Sequence, residues 1–226
     1  MESLIYPDIF SSDVKAFFTT RVLGADIKKI CSLLSIQQES VFLPLQKHTS
    51  KVIVLESDLK PVIADAVITK REGILIGVKV ADCVPILLHD RKKSVIGSVH
   101  AGWRGTAAQI LKKTIKKMVT CFRSSPQDIA IALGPSIRWN CYVVEKAVRD
   151  SIYEATGDGG YLRKHINGKY IVDLASANVQ QALSMGVLKE HIWISDACTY
   201  CNPGTYYSYR HGKDLHGRQG GFIGIL

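Results

Sequence analysis

The sequence lacks any apolar stretch that could cross a membrane. Its longest candidate, residues 73–88, is interrupted by Lys79 and Asp82 and falls short of the roughly 18 apolar residues that a span requires. The first residues also lack the basic segment followed by an apolar one that marks a secretory signal. We therefore expect a cytoplasmic protein that makes no contact with a membrane.

Internal repeats, low-complexity stretches and linker segments are also absent from the sequence. Of the 226 residues, 46% are hydrophobic and 22% are charged, which is close to the average for globular proteins and excludes disorder as the dominant state. A chain of this length buries a sizeable core. We therefore treat residues 1–226 as a single domain.

Signals of nucleic-acid binding are missing, although the formal net charge is +9. Basic residues are spread along the chain, and the sequence has no helix-turn-helix signal, aromatic platform or basic tail. A helix would place the densest group on one solvated face: Lys112, Lys113, Lys116 and Lys117. We expect a small anionic substrate rather than nucleic acid, and a monomer or a weak homo-oligomer.

The six cysteines do not predict a disulfide framework, because the chain needs no covalent staples and carries no secretory signal. We expect reduced thiols, with Cys31 and Cys121 in the core. Cys198-x-x-Cys201 is half of a zinc-ribbon pattern, but a second Cys-x-x-Cys pair is absent and Cys141 is a lone candidate third ligand. The pattern favours ordinary cysteines over a second metal site.

Apolar periodicity predicts strands and helices without a strict alternation. Helices are expected over residues 105–122, 144–155 and 174–185. Strands are expected over residues 16–20, 52–55, 66–69, 74–80, 84–88, 94–99, 129–133, 170–172, 192–194 and 222–226. Two of these strands, residues 84–88 and 94–99, flank the polar loop of residues 90–93, a pattern typical of a hairpin or a paired crossover. The order favours an α+β fold with mixed sheets.

Three potential metal ligands, His48, Cys83 and His100, lie beside the ends of predicted strands. Side chains from different strands can converge there, and Gly102 lets a ligand approach closely. A thiolate and two imidazoles suit zinc, and three protein ligands leave the open position of a catalytic ion that activates water. Their spacing matches no zinc-finger pattern, so unrelated buried side chains are an equally open interpretation.

The same residues allow two interpretations without a metal. Cys83 could be a nucleophile with His100 as its base, and Asp82 or another acid as the group that orients the base. The chain could also be a nucleotide-binding or partner-binding module without turnover. We expect the other histidines to be ordinary polar residues: His89, His165, His191, His211 and His216.

Short motifs occur along the chain in a characteristic order. They are Asp65-Ala66-Val67-Ile68-Thr69, Ala81-Asp82-Cys83-Val84-Pro85, His100-Ala101-Gly102-Trp103-Arg104-Gly105, Gly134-Pro135-Ser136-Ile137, Cys141-Tyr142-Val143-Val144, Cys198-Thr199, Tyr207-Ser208-Tyr209-Arg210 and Gly217-Arg218-Gln219-Gly220. From about Ala16 to the C-terminus, the chain resembles the YfiH family. This family is also called the polyphenol oxidase or laccase-domain family and is related to human FAMIN.

The resemblance implies a four-layer α/β/β/α fold and a zinc ion held by His48, Cys83 and His100. Family members are described as purine nucleoside phosphorylases for adenosine, inosine and methylthioadenosine, with adenosine deaminase activity. An older label is copper laccase, and a bacterial branch is linked to editing of peptidoglycan precursors. Copper is the less natural ion, because blue-copper sites add an axial Met and multicopper oxidases need more than the seven histidines present.

The implied activity assigns roles to further residues. Asp82 would assist proton transfer, and Arg104, Arg210 and Arg218 would hold phosphate through forked hydrogen bonds. Residues 22–26 read VLGAD, where the family usually has a Gly-Gly-Val-Ser-like loop. We expect this departure to reduce a loop that covers the substrate, which leaves the preferred nucleoside open.

Overall fold

The computed structural model describes residues 2–212 and 217–226. His216, expected to be an ordinary polar residue, lies outside these residues. The helices are α1 (Ile27–Leu34), α2 (Trp103–Ala107), α3 (Ile110–Phe122), α4 (Lys146–Thr156) and α5 (Leu174–Ser184). The strands are β1 (Leu4–Ile5), β2 (Lys15–Thr19), β3 (Val41–Phe42), β4 (Val52–Val54), β5 (Ala66–Thr69), β6 (Ile74–Val80), β7 (Val84–Asp90), β8 (Val95–Ala101), β9 (Ile129–Leu133), β10 (Val143–Val144), β11 (Leu162–Lys164), β12 (Tyr170–Val172), β13 (Ile192–Ile194) and β14 (Gln219–Ile225).

Two large sheets, both mixed, form the centre of the fold. The six-stranded sheet has the order β13-β9-β7-β8-β5-β4, and its two outer pairs are parallel while its inner pairs are antiparallel. The five-stranded sheet has the order β1-β2-β14-β6-β3, in which β3 and β6 are parallel. The third sheet is small and antiparallel, with the order β10-β12-β11, and its residues Val144 and Val172 pack into the same core as the six-stranded sheet. The predicted α+β class with mixed sheets is confirmed.

The helices and the two large sheets stack in an α/β/β/α arrangement, with a hydrophobic core between each pair of neighbouring layers. Successive residues of a strand point to opposite faces, so Ile86 on β7 packs into the core beneath α3 and α5, whereas Leu87 packs between the two sheets. On the far face of the five-stranded sheet, Ile30 of α1 packs against Leu75 and Phe222. Burial of β7 on both faces explains its continuous apolar run.

The predicted hairpin is confirmed as the antiparallel pair β7 and β8. Val84 pairs with Ala101 at its open end. Cys83 immediately precedes β7, and His100 is the penultimate residue of β8. The hairpin register therefore brings the thiol and this imidazole to the same edge of the sheet.

Neighbouring strands bring two more side chains to that edge. β5 is antiparallel to β8, and Ala66 pairs with Val99, so Asp65 lies beside the end of β8. β4 runs parallel to β5, so the segment that leads into β4 and contains His48 approaches the same edge. Sheet topology thus gathers residues that are far apart in sequence.

The helix expected over residues 105–122 is two helices, α2 and α3. Gln109 between them has a left-handed backbone with φ 57°. The side chain of Gln181 donates a hydrogen bond to the carbonyl oxygen of Thr106 at 2.8 Å. The backbone N–H of Gln109 donates to the same oxygen. A regular helix would use this carbonyl for the N–H four residues later, so the contact with α5 favours the break.

The other two predicted helices differ from the expectation only at their ends. The helix expected from residue 144 begins at Lys146, because Val143–Val144 pairs with β12 instead. Asp173 caps α5 as predicted, and Gly186 follows it with φ +89°. Within the described part of the chain, every helix is too short or too polar to cross a membrane.

Candidate active site

The structure brings His48, Cys83 and His100 together. One ligand atom from each residue lies within 4.8 Å of the others. The two imidazole rings meet edge to face, with centroids 4.8 Å apart. His48 is exposed, Cys83 is half-buried and His100 is buried, so the cluster is reached from solvent on one side. Its donor atoms and separations suit a single borderline ion such as zinc.

Asp65, which is fully buried, fixes the segment that carries His48. Its carboxylate accepts hydrogen bonds from the backbone N–H groups of Lys47, His48 and Thr49, at 3.2, 3.1 and 2.7 Å. The Thr49 hydroxyl donates to the same carboxylate at 2.8 Å. His48 itself has φ 57°, an uncommon backbone conformation for a histidine. The hydrogen bonds to Asp65 hold it there.

Asp65 also orients the second imidazole. His100 Nδ1 lies 2.7 Å from Asp65 Oδ1, and the His100 backbone N–H donates to the Asp65 carbonyl oxygen at 2.7 Å. This contact engages Nδ1 and leaves Nε2 free to act as a ligand. Burial favours a raised pKa for Asp65, but the hydrogen bonds from His100 and Thr49 outweigh it and hold the pKa well below its usual range.

Asp65 was the residue that sequence reasoning missed as a functional group. It is the first residue of one of the family motifs, but the sequence pattern alone predicts no role for it. An acidic residue placed immediately before the largely apolar strand of residues 66–69 is the signal that was available. Such a carboxylate needs buried partners, and two candidate ligands supply them here.

The thiol and imidazole of the cluster shift each other's pKa. Burial alone would raise the pKa of Cys83, but the charges and hydrogen bonds of His100 and His48 lower it to about 6. Burial likewise opposes protonation of His100, yet the Cys83 thiolate and Asp65 raise its pKa to about 9. Without a metal, the pair is therefore a thiolate and an imidazolium at neutral pH.

Because Gly102 has no side chain, the Cys83 thiol and the His48 ring fit beside it. A Cβ atom at this position would lie 2.8 Å from Cys83 Sγ and 3.4 Å from His48 Cδ2. The first distance is too short for any real carbon–sulfur contact, so a larger residue would displace the thiol. Glycine is required here for close approach rather than for an unusual φ.

Asp82 faces a different part of the site from Asp65. Its carboxylate accepts a hydrogen bond from the Thr199 hydroxyl at 2.6 Å and another from the Arg210 backbone N–H at 2.7 Å. The acid that touches His100 is therefore Asp65 and not Asp82. Asp82, which follows β6 and precedes Cys83, ties this edge of the sheet to the segment around residues 199–210.

Two of the three predicted phosphate-binding arginines lie against aromatic rings. The Arg210 guanidinium lies 5.2 Å from the centroid of the Tyr142 ring, while Arg104 lies 4.5 Å from the ring of Trp103. Burial and the nearby Cys83 charge raise the pKa of Tyr142 to about 12, and the charges of Arg210 and Arg104 oppose this. Arg210 therefore contacts Tyr142 directly, whereas Arg104 acts on this residue only through its charge.

Arg218 lies at the start of β14. Its guanidinium donates to the Gly217 carbonyl oxygen at 2.7 Å. The next residue, Gln219, pairs with Val80, so Arg218 lies beside the segment of residues 81–83. The third predicted arginine thus approaches the segment of residues 81–83 from the five-stranded sheet.

The remaining cysteines only partly follow the expectation. Cys31 is buried, as expected, but Cys121 is exposed rather than in the core because it lies on the solvent side of α3. Cys141, Cys198 and Cys201 form a second cluster with sulfur atoms within 4.8 Å of one another. The sequence pattern favoured ordinary cysteines at these positions.

Together, the fold and the cluster define an α/β/β/α protein with a group of potential metal ligands at the edge of a mixed sheet. The family model described as multi-copper polyphenol oxidoreductase laccase matches residues 20–226. The chain belongs to this family, and the resemblance to YfiH proteins is confirmed.

Curated relatives carry names of purine-processing enzymes. The chain is 36% identical over 162 residues to the purine nucleoside phosphorylase YlmD of Geobacillus stearothermophilus, which covers 71% of this chain and 59% of that protein. It is 31% identical over 218 residues to the adenosine deaminase RL5 of an unknown prokaryotic organism, covering 91% and 81%. The crystal structure of the Geobacillus YlmD matches with a TM-score of 0.92 at 27% identity, covering 99% and 96% of the two chains.

Proposed function

We propose that this protein is a zinc-dependent purine nucleoside phosphorylase that also deaminates adenosine. The observation that carries the proposal is the convergence of His48, Cys83 and His100 on one solvent-accessible point, in a family whose relatives are named for these activities. When bound there, zinc would supply a Lewis acid with an open position for water or substrate.

The residues fit zinc better than copper, despite the copper in the family description. A blue-copper centre would add an axial methionine to two histidines and a cysteine. Met118 is fully buried beneath the six-stranded sheet and Met185 packs against the same core, so neither side chain is available. The thiolate of Cys83 and an Nε2 freed by Asp65 are the donors that zinc requires.

The two reactions need an anion site and a group that moves protons. In phosphorolysis, a phosphate oxygen bonds to C1′ of the ribose, and the purine leaves with the electron pair of the N-glycosidic bond. In deamination, water adds at C6 of adenine and ammonia leaves. We assign phosphate binding to Arg104, Arg210 and Arg218, whose guanidiniums form forked hydrogen bonds with oxyanions.

Asp82 is the proposed proton-transfer group. Each of its carboxylate oxygens accepts one hydrogen bond, which fixes the carboxylate and leaves a second lone pair on each oxygen. Oδ2, which also holds the Arg210 loop, would take the proton of the attacking water and return it to the leaving group. The Tyr142 hydroxyl stays protonated at neutral pH because its pKa is about 12, so it can donate to substrate.

The proposal includes the setting of the enzyme. We place it in the cytoplasm as a single YfiH-like domain that acts on a small nucleoside and phosphate, as a monomer or a weak homo-oligomer. Neither nucleic acid nor a membrane is part of the proposed function.

The direct test incubates zinc-loaded protein with adenosine and phosphate and separates the products by chromatography. We expect adenine with ribose-1-phosphate, and inosine from the competing deamination. Cys121→Ala, which changes an exposed thiol outside both clusters, is the matched control and should retain full activity. Absence of all these products from the zinc-loaded protein would refute the proposal.

A second candidate is a thiol hydrolase or amidase acting on cell-wall precursors. The observation that favours it is the chain of contacts from Cys83 to His100 to Asp65, which has the order of a nucleophile, a base and an orienting acid. Activity that persists in metal-depleted protein and disappears on alkylation of Cys83 would support this candidate over the first.

Two further interpretations are outcomes of the same set of assays. Oxidation of a phenol by the copper-loaded protein would support the laccase description of the family. Tight nucleoside binding without turnover, equal in wild type and Cys83→Ala, would indicate a binding module.

A further inference from the structure

The second cluster of cysteines consists of side chains from two loops. Cys141 lies just before β10, while Cys198 and Cys201 follow β13. Cys141 Sγ and Cys201 Sγ are 3.1 Å apart, and all three sulfur atoms lie within 4.8 Å of one another. Cys198 is buried, Cys141 is half-buried and Cys201 is exposed, so the cluster is open to solvent on one side.

Cys198 is held as an acceptor of hydrogen bonds. The backbone N–H of Arg138 donates to Cys198 Sγ at 3.4 Å, and the backbone N–H of Cys201 donates to the same sulfur. Backbone donors directed at sulfur favour the thiolate, the form of cysteine that binds metals.

We propose that Cys141, Cys198 and Cys201 bind a second zinc ion, distinct from the one at His48, Cys83 and His100. Zinc takes thiolate ligands in a tetrahedral arrangement, and Cys-x-x-Cys is a common spacing for two of them. The three sulfur atoms need only small side-chain rotations to take equal distances from one ion. Its fourth ligand comes from solvent at the exposed side of Cys201.

A disulfide between Cys141 and Cys201 is the competing interpretation. It would need an oxidant to remove two electrons and two protons, and it would leave Cys198 without a partner that explains its two backbone donors. The zinc site uses all three sulfur atoms, so the contacts of Cys198 favour it.

The second ion would link two loops beside the first site. Tyr142 follows Cys141 directly, and Thr199, the partner of Asp82, follows Cys198 directly. An ion that joins these two loops would fix Tyr142 and Asp82 relative to each other. The site is defined by its thiols alone, so its existence does not depend on which reaction the protein performs.

Zinc stoichiometry tests this proposal on the 226-residue chain, loaded with zinc under reducing conditions and then freed of excess metal. We expect about two zinc ions per chain in wild type and about one in both Cys83→Ser and the double variant Cys141→Ser/Cys201→Ser. Cys121→Ser, the matched control, should retain about two. A wild-type content of about one that is unchanged in the double variant would overturn the proposal.

Cobalt provides a second readout that does not depend on how well the double variant folds. Cys83→Ser, which retains the second cluster, should show the charge-transfer absorption of a cobalt–thiolate centre when titrated with cobalt. Cys83→Ser that binds no cobalt through thiolate would contradict the site. So would reduced wild-type protein that forms a Cys141–Cys201 disulfide in air and takes up only about one zinc per chain.

Discussion

The His48–Cys83–His100 cluster is built on strand ends, whereas the Cys141–Cys198–Cys201 cluster is built on loops. In the first, a buried carboxylate holds the His100 imidazole and the backbone N–H of His48 through hydrogen bonds. In the second, backbone N–H groups hold one of three thiols. The sheet therefore fixes the geometry of the first cluster, whereas the second cluster would reach its final geometry only on binding an ion.

The two clusters also shift the pKa of a cysteine thiol in opposite directions. Neighbouring imidazoles lower the pKa of Cys83 to about 6, whereas burial and the neighbouring thiols Cys201 and Cys198 raise that of Cys141 to about 12. Cys83 is therefore ionised at neutral pH before any metal arrives. Cys141 would lose its proton only to an ion, as expected of a site whose role is to hold structure together.

The largest expected effect is the difference in activity loss when a cysteine is replaced in the first cluster rather than in the second. Cys83→Ala should lower kcat/KM for adenosine phosphorolysis by at least about a thousandfold, because it removes a ligand at the reacting centre. Cys201→Ala should lower it by no more than about tenfold, since Cys201 acts only through the position of the loops. Steady-state kinetics of zinc-loaded proteins measure both values. Equal losses in the two variants would contradict the division of roles.

Asp65→Asn tests the carboxylate that sets the first cluster apart. We expect zinc affinity at that cluster to fall by about 10- to 100-fold, because the hydrogen bond that orients His100 loses its charge. Competition with a chromophoric chelator measures this affinity. Asp13→Asn changes an exposed acid that faces His89, near the end of β7 opposite Cys83; this control should bind zinc as wild type does. Unchanged affinity in Asp65→Asn would show that Asp65 has no part in orientation.

Gly102→Ala tests the space beside the thiol. The added Cβ would meet Cys83 Sγ at 2.8 Å, so we expect about a tenfold loss of activity with a change in unfolding free energy of no more than about 1 kcal/mol. Gly160→Ala adds the same atom where nothing lies within 4 Å and should leave activity intact. Equal activities of the two variants, by kinetics and thermal unfolding, would argue against close packing at Gly102.

The smallest effect concerns pH and the metal-free protein. Alkylation of Cys83 requires the thiolate, so its rate should rise with pH, reach half its maximum near pH 6 and be nearly constant above pH 7. In His100→Ala the midpoint should move up towards the ordinary thiol pKa of about 8.5. Mass spectrometry of the modified peptide follows the rate. A midpoint shared by both proteins would mean that His100 does not stabilise the thiolate.

Strong local patterns made much of the fold predictable. The strands over residues 66–69, 74–80 and 129–133 have the predicted bounds because each is a short, buried apolar run. The break between α2 and α3 was not predictable, because it depends on Gln181, which lies far along the chain and contacts Thr106 only in the folded protein.

The candidate site, like the fold, was predictable only in part. The motifs around His48, Cys83 and His100 drew attention to these residues, and the structure brings them together. Asp65 and Asp82 could not be told apart as partners of His100, because that choice depends on the register of β5 against β8. The thiol cluster depends on two loops whose approach no local pattern encodes.

The pairing of β5 with β8 has a consequence for folding. His100 donates its backbone N–H to the carbonyl oxygen of Asp65, and its ring contacts the carboxylate of the same residue. A slip of one residue between these strands would turn the imidazole to the opposite face of the sheet. Metal uptake during refolding should therefore report when the two strands have reached their native alignment.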